Sequence, residues 1–163
     1  MKYASINRLD DFEFHDSMWK LCSFQDQVLT VDARMLNIHR EAPLNPHEMD
    51  MEIELAQMTF TGVEILSFDL GYVWKTDADG NSQPEELGGI HEGKDAEDLF
   101  LTELDTGDLG ATIFQFQKED GVYTLDACGD EPWFAAQFRF DIVNIEWYTY
   151  KKTEWYTEHK WSK

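Results

Sequence analysis

The stretch that decides the fold is WFAAQFRFDIVNIEWYTY, residues 133–150. Successive side chains of a strand point to opposite faces, so apolar residues at every second position indicate a half-buried strand. The first part of the stretch places apolar residues on one face at Phe134, Ala136, Phe138, Phe140 and Ile142. The apolar positions then move to the other face at Val143, Ile145 and Trp147. This change predicts a strongly bent sheet, or a sandwich whose strands cross between layers.

Other parts of the chain also show the period of two. In residues 27–38 the side chains predicted to point inward are Leu29, Val31, Ala33 and Met35. In residues 49–60 they are Met49, Met51, Ile53 and Leu55, with Asp50, Glu52 and Glu54 outward. The apolar positions then shift to Met58 and Phe60, which predicts a bulge near Ala56 and Gln57. Residues 63–74 predict a further strand after a turn at Thr61 and Gly62, and residues 111–117 and 122–128 predict a hairpin turning near Gly121.

One helix is predicted, over about residues 95–104, with Asp95 as its cap. It lies in a segment, residues 76–108, that holds eleven acidic residues against the single cation Lys94 and is interpreted as an acidic loop and helix insertion.

Residues 146–163 are predicted to form an aromatic and basic hairpin or tail, the hairpin turning at Lys151 and Lys152. The predicted fold is therefore mostly β: a single domain over residues 1–163, with an antiparallel bent sheet or β-sandwich and one short helix.

Composition excludes several functions. The formal charge of −20 disfavours binding to DNA or RNA, which requires clustered Lys and Arg, and it favours encounter with a basic protein. No apolar run is long enough for a membrane span and no secretory signal is visible at the start, so a cytoplasmic protein without membrane contact is expected. Cys22 and Cys128 are the only cysteines, which indicates neither a disulfide framework nor a zinc site.

The segment DFEFHDSMW, residues 11–19, places a histidine, an aspartate and a serine side by side. Adjacent residues of an extended chain point to alternate faces, so His15, Asp16 and Ser17 cannot form a catalytic triad with one another. On a strand, Asp16 would share a face with Phe14 and Met18, where it would accept backbone hydrogen bonds at a turn or meet Arg34 or Arg139. Structural bracing is the favoured interpretation. The alternative is a ligand-binding or acid–base role for His15 and Asp16.

The same residues carry a resemblance. Phe12, Phe14, His15, Asp16, Ser17 and Trp19 resemble the opening FHD(S/A) element of small bacterial β-domain proteins, some of which are similar to immunity proteins that neutralise toxins of neighbouring cells. The resemblance implies an antiparallel β domain. The His-Asp dipeptide is also found in HD-type phosphohydrolases, but those are helical and need further His and Asp ligands.

Metal sites are not predicted. Asp77, Asp79 and Asn81 match the start of a calcium loop, but Ser82 and Gly88 stand where that loop needs Gly and Glu, which favours a polar turn. His39 and His47 fit no metal-ligand spacing. No cofactor is expected.

The preferred function is a non-catalytic acidic interaction domain, in its sharpest version an immunity-type inhibitor of a basic toxin. The residues predicted to bind the partner are Asp95, Glu97, Asp98, Trp147, Tyr150, Trp155 and Trp161. Trp161 could instead pack on a second copy of the chain, as a homodimer. The alternative class is a small-ligand binder or hydrolase-like enzyme that uses a concave sheet face with His15 and Asp16.

Overall fold

The computed structural model describes residues 2–86 and 88–153. Strands make up 53% of the chain, all paired strands are antiparallel, and one α-helix is present in the described ranges, so the predicted fold class is confirmed. The helix α1 spans Gly93–Leu104, and a 3-10 turn spans Leu9–Asp11. The strands are β1 (Tyr3–Ile6), β2 (Phe12–Glu13), β3 (Met18–Gln25), β4 (Val28–Arg34), β5 (Asn37–Ile38), β6 (Met51–Ile53), β7 (Ala56–Thr61), β8 (Glu64–Asp69), β9 (Tyr72–Thr76), β10 (Ser82–Glu86), β11 (Ile90–Glu92), β12 (Ala111–Glu119), β13 (Val122–Cys128), β14 (Phe134–Arg139), β15 (Ile142–Trp147) and β16 (Tyr150–Thr153).

The large sheet has ten strands in the order β1-β15-β7-β4-β3-β12-β13-β14-β8-β11. Its middle is a narrow joint, because β3 pairs with β12 through two positions, Trp19 with Ala111 and Met18 with Thr112. We call β1-β15-β7-β4-β3 the first layer and β12-β13-β14-β8-β11 the second layer. The layers pack face to face: the ring of Phe60 in β7 lies 6.3 Å from that of Phe138 in β14.

The change of apolar face in residues 133–150 marks the passage of the chain from one layer to the other. β14 belongs to the second layer and β15 to the first, and residues 140 and 141 form the corner between them. Asp141 fixes the corner, because its backbone N–H donates to the carbonyl of Thr61 at 2.8 Å. The prediction that Ile142 faces inward with Phe138 is wrong, since 46% of Ile142 is exposed once the chain has turned.

Residues 49–60 form two strands in different sheets, so the predicted single bulged strand is wrong. The chain leaves β6 after Ile53, turns at Glu54 and Leu55, and enters β7 at Ala56. Met49 and Leu55 are exposed rather than inward, and Glu52 is buried rather than outward. Residues 63–74 likewise divide into β8 and β9.

Met35 was also predicted to face inward, but β4 ends at Arg34. Met35 follows in a left-handed conformation, with φ of 54°, and is 41% exposed.

A second sheet of four short strands, in the order β16-β6-β5-β2, packs beside the end of the first layer. Phe12 of β2 meets Trp147 of β15 edge to face, with ring centroids 5.8 Å apart. The predicted C-terminal hairpin with a turn at Lys151 and Lys152 is wrong, because both lysines lie within β16, which pairs with β6. Residues 154–163 lie outside the described residues.

Helix α1 begins two residues earlier than predicted and is part of the core. Its N-cap is Glu92, which makes no side-chain capping bond, while Asp95 lies in the first turn and is not the cap. Phe100 packs against Phe134 and Phe138 with ring centroids 6.5 and 5.6 Å away. The segment 76–108 thus contains the turn and second strand of the β9-β10 hairpin, then β11, and then a helix whose apolar face is buried against β8 and β3.

In the described ranges, we find no helix with the length and apolarity that crossing a membrane requires.

Candidate functional site

The FHDS element, residues 14–17, is a turn that holds the joint between the two layers. The backbone N–H of Asp16 donates to the carbonyl of Ile113 at 2.8 Å, and the N–H of Ile113 donates to the carbonyl of Ser17 at 2.8 Å. The buried Ser17 hydroxyl donates to the carbonyl of Phe14 at 2.6 Å and accepts from the indole N–H of Trp19 at 3.1 Å. The turn therefore extends the two-position pairing of β3 and β12.

His15 and Asp16 themselves point to solvent, with side chains 61% and 68% exposed. Asp16 has φ of 66° and lies in the turn between β2 and β3, away from the apolar strand face predicted for it. Within the described residues it pairs with neither Arg34 nor Arg139, and its carboxylate lies 3.6 Å from the ring of His15. The ring Nδ1–H of His15 donates to the carbonyl of Phe114 at 2.7 Å. The pKa of His15 is raised mainly by this hydrogen bond and, to a smaller extent, by the negative charge of Asp16.

An open groove of about 600 Å³ lies beside this turn. Its volume is within the range of ligand sites, roughly 300–1,000 Å³. The apolar part of its lining comes from both layers and from the 3-10 turn: Leu9, Phe12, Phe14, Phe116, Tyr123, Phe140 and Val143. The rings touch one another in series, since Phe14 lies 5.2 Å from Phe116, Phe116 lies 5.4 Å from Tyr123, and Tyr123 lies 4.2 Å from Phe140. We call this the aromatic groove.

One wall of the aromatic groove is the far half of β12. Residues 115–119 of that strand pair with β13 on one side, whereas the described pairing with β3 stops at Thr112. A strand with a free side presents backbone donors and acceptors that another extended segment can use. The groove therefore combines an apolar floor with a strand edge in the described part of the chain.

The rim of the groove carries two carboxylates and one cation. Asp10 and Asp141 are exposed on the lining, and Lys118 lies with its Nζ 5.1 Å from the centre of the Tyr123 ring. His15 and Asp16 are not among the lining residues. The groove is consequently suited to bind a segment in which apolar rings alternate with positively charged side chains. The His15 and Asp16 pair of the FHDS turn supplies no acid–base group to it.

A second, more open hollow of about 530 Å³ lies along α1, next to Leu21 and Leu101. Its charged residues are acidic: Asp98, Asp105 and Asp130. Asp105 is partnered, because Lys20 Nζ lies 2.6 Å from its carboxylate.

The residues predicted to bind a partner fall into three places. Asp95 and Asp98 are exposed on α1, while Glu97 and Asp98 pair with Lys94 at 2.6 and 2.9 Å. The prediction for Trp147 is wrong, because it is 1% exposed and belongs to the core. Tyr150 is half-buried, and its hydroxyl donates to the carbonyl of Leu44 at 2.8 Å. Trp155 and Trp161 lie outside the described residues.

The two motifs considered for metal ions are structural in the described residues. Asp77 accepts from the backbone N–H groups of Asp79 and Asn81, both at 2.9 Å, which closes the turn of the β9-β10 hairpin and lowers the pKa of Asp77. His39 lies 3.4 Å from Asp50, and His47 packs edge to face on Tyr150 at 5.3 Å. In the described ranges, no three His, Cys, Asp or Glu residues are grouped so that they could hold a metal.

Glu103, one of the eleven acidic residues of the segment 76–108, has a buried carboxyl group. It is 6% exposed, and its carboxylate accepts from the backbone N–H of Glu131 at 3.2 Å. Burial raises the pKa of Glu103, while the N–H groups of Glu131 and Asp130 oppose that effect. A Cβ on Gly129 would lie 2.3 Å from its carboxylate oxygen, so this loop closes tightly over it.

The chain matches no known family model, no curated protein and no solved structure. The resemblance of residues 12–19 to immunity-like proteins therefore stays a prediction. The aromatic groove itself was missed by the sequence reasoning. Its only signal was that Phe116 and Tyr123 lie near a hairpin end, where a sheet has fewer neighbours to cover large rings.

Proposed function

We propose that this protein is a non-catalytic, acidic interaction domain that binds a basic partner protein. The observation that carries the proposal is the aromatic groove, whose rings lie beside Asp10 and Asp141 in a chain of net charge −20. The occupant is a segment of the partner that bears aromatic or aliphatic side chains and lysine or arginine.

The two kinds of groove residue have different parts in binding. Burying a few rings supplies most of the affinity of a protein interface. Complementary charge mainly raises the association rate and excludes acidic competitors. Exposed carboxylates such as Asp95 and Asp98 would add to the attractive field without touching the bound segment.

In its sharpest version the proposal is an immunity-type inhibitor of a basic toxin, acting in the bacterial cytoplasm. The support for this version is the resemblance of residues 12–19 together with the strong negative charge. A homodimer is compatible with it, because a second copy could cover a different surface.

The alternative is a small-ligand binder or hydrolase that uses His15 and Asp16. The geometry supports it less, because both side chains are more than half exposed and neither lines the groove. The Nδ1–H of His15 is already engaged with the carbonyl of Phe114.

The proposal is tested with a fluorescein-labelled peptide, Gly-Lys-Phe-Lys-Phe-Lys-Gly, whose binding to the full chain is followed by anisotropy. The control peptide has Glu in place of each Lys. We expect the basic peptide to bind and to weaken with added salt, because exposed charges are screened. Tyr123→Ser should weaken binding about tenfold, since a ring in a binding site contributes more than about 1 kcal/mol.

Tyr148→Ser is the matched control for the ring, because Tyr148 is 65% exposed and does not line the groove. Equal binding of the acidic peptide, or equal loss in both tyrosine variants, would contradict the proposal.

A further inference from the structure

We infer that the partner segment binds in the aromatic groove as an added β-strand, antiparallel to β12, with its backbone hydrogen-bonded to Phe116 and Lys118. The inference rests on the proposed function, because it uses the same groove and the same basic partner, and it adds how the segment is recognised. The segment is extended, and its aromatic or aliphatic side chains alternate with lysine or arginine. Backbone bonds to a sheet edge supply affinity in this mode of binding, and the alternate side chains supply specificity.

The first step is the free side of β12. On one side of the strand, residues 115–119 pair with β13. On the other side, pairing with β3 ends at Thr112, and the FHDS turn extends it only to Phe114, whose carbonyl accepts from the ring of His15. Strand β2, which precedes the turn, pairs with β5 instead. The described part of the chain therefore places no strand along this side of residues 115–119.

The second step is the direction of the backbone groups. The turn at residues 120 and 121 has two positive φ angles, 48° and 81°, and the residues that flank such a two-residue turn, Glu119 and Val122, form a hydrogen-bonded pair. Hydrogen-bonded and non-hydrogen-bonded pairs alternate along an antiparallel ladder. Phe116 and Lys118 therefore stand at non-hydrogen-bonded positions with β13, and their N–H and C=O groups point to the free side.

The FHDS turn supports this assignment. The carbonyl of Phe114, two positions before Phe116, accepts from the ring of His15 on the β3 side. Alternate residues of a strand direct their backbone groups to the same side. His15 thus ends the bonding along this side of β12, and the next groups that point the same way belong to Phe116 and Lys118.

The third step is the side-chain face. Residues directly opposite each other in a sheet share a face, and Lys118 lies opposite Tyr123. Phe116, Lys118 and Tyr123 line the groove, so this is the groove face. Gln115 and Gln117 project from the other face, where their amides bond to each other at 2.7 Å. In an added antiparallel strand, the residues that bond to Phe116 and Lys118 lie directly opposite them, so the side chains of those residues also enter the groove.

The fourth step is charge and length. The remaining residues of the added strand point to the face that carries Glu119, an exposed carboxylate, and Asp10 and Asp141 lie on the rim of the groove. Lysine or arginine at these alternate positions meets complementary charge in a chain of net charge −20. Residues 115–119 extend over about 14 Å, which an extended segment of five residues covers.

The first experiment removes backbone donors from the peptide and leaves the protein unchanged. One variant of Gly-Lys-Phe-Lys-Phe-Lys-Gly is N-methylated at both phenylalanines, and its matched control is N-methylated at the last two lysines. An antiparallel strand with its rings in the groove donates to β12 from the phenylalanines only. We expect N-methylation of the phenylalanines to weaken binding about thirtyfold in the anisotropy assay, through the loss of two hydrogen bonds, and N-methylation of the lysines to change it less than about threefold.

The second experiment removes one donor from the protein. Lys118→Pro eliminates an N–H that β13 does not use, and proline is tolerated at such an edge position. Lys118→Ala loses the same side chain and keeps the N–H. We expect Lys118→Pro to bind the peptide about fivefold more weakly than Lys118→Ala. Urea unfolding shows whether both variants fold, and the N-methylated peptides decide the matter if the proline variant does not.

Amide hydrogen exchange locates the contact. Adding the basic peptide should slow exchange at the N–H groups of Phe116 and Lys118, whereas the N–H of Gln117, which points to β13, should change little. Protection of Phe116 and Lys118 that rises with protein concentration in the absence of peptide would mean that a second copy covers the edge, and it would overturn the inference.

The peptides also separate this inference from the proposed function. Equal binding of the two N-methylated peptides would overturn the inference and leave the proposed function standing, because the groove would then recognise side chains alone. A loss confined to the N-methylated lysines would mean a parallel strand and would overturn the inference as well. If a peptide with Glu in place of each Lys binds as tightly as the basic one, and still weakens when its phenylalanines are N-methylated, strand addition stands and the proposed function fails. Absence of binding by every peptide would overturn both.

Discussion

Ser17→Ala removes a buried hydroxyl that links Phe14 to Trp19 at the joint between the layers. Ser17 and Trp19 are both 0% exposed, so in the variant the indole N–H of Trp19 keeps no partner within the described contacts and no contact with water. The carbonyl of Phe14 retains the backbone N–H of Ser17 at 3.0 Å. One orphaned buried donor costs about 1–3 kcal/mol, and we expect a loss of about 2 kcal/mol in the free energy of unfolding.

The assay is urea unfolding of the full chain, followed by tryptophan fluorescence. With an m-value of about 2 kcal/mol/M the midpoint should fall by about 1 M, and the melting temperature should fall by about 4–8 °C. Ser23→Ala, at an exposed position of β3, is the control and should change the midpoint little.

The exposed Asp16 gives the decisive comparison. Its carboxylate meets only His15 in the described contacts, and asparagine tolerates its left-handed backbone, so Asp16→Asn should cost less than about 0.5 kcal/mol. A loss below 0.5 kcal/mol for Ser17→Ala, or an equal loss for Asp16→Asn, would refute the argument that the hydroxyl braces the joint.

Two further predictions concern backbone and charge. A Cβ at Gly110 would lie 2.0 Å from the carbonyl oxygen of Trp19, so Gly110→Ala should cost about 3 kcal/mol or more in thermal unfolding, against about 1–2 kcal/mol for Gly80→Ala, which meets no atom within 4 Å. Equal losses would show that only the positive φ matters. The raised pKa of Glu103 means that its ionised form destabilises the fold, so stability is lost as pH rises from the ordinary value of 4.5 through the raised one. In urea unfolding, the free energy of unfolding of Glu103→Gln should increase relative to that of the parent chain as the pH rises through this range. Glu119→Gln, at an exposed position, is the control. A difference between Glu103→Gln and the parent chain that does not change with pH would contradict the raised pKa of Glu103.

Local features of the sequence predicted the parts of the fold that are locally determined. The β12-β13 hairpin was predicted because its turn is encoded in adjacent residues, and Asp120 and Gly121 do adopt positive φ of 48° and 81°. The helix was predicted from the acidic residues at its start, with Asp95 as the expected cap, although the structure has Glu92 in that place. The bent or layered sheet followed from the change of face near Phe140.

Features set by distant parts of the chain could not be predicted. Nothing within residues 49–60 indicates that Ile53 pairs in one sheet and Ala56 in another, because the partners of these strands lie elsewhere in the sequence. Trp147 looked like an interface residue beside Lys151, and only the packing of Tyr3 and Phe12 on its ring shows that it is core. The aromatic groove is formed by three separate segments, and its only local signal is the position of Phe116 and Tyr123 near a hairpin end.

The two-position joint between the layers also bears on how the chain folds. It brings Trp19 together with Ala111, residues far apart in the sequence, whereas hairpins such as β12-β13 close short loops. Long-range pairing has to overcome a larger loop-closure entropy than local pairing, so it forms more slowly. We expect the hairpins of each layer to form first and the hydrogen bonds of the FHDS turn to form last. A substitution that weakens these bonds should therefore mainly speed unfolding and leave the folding rate little changed.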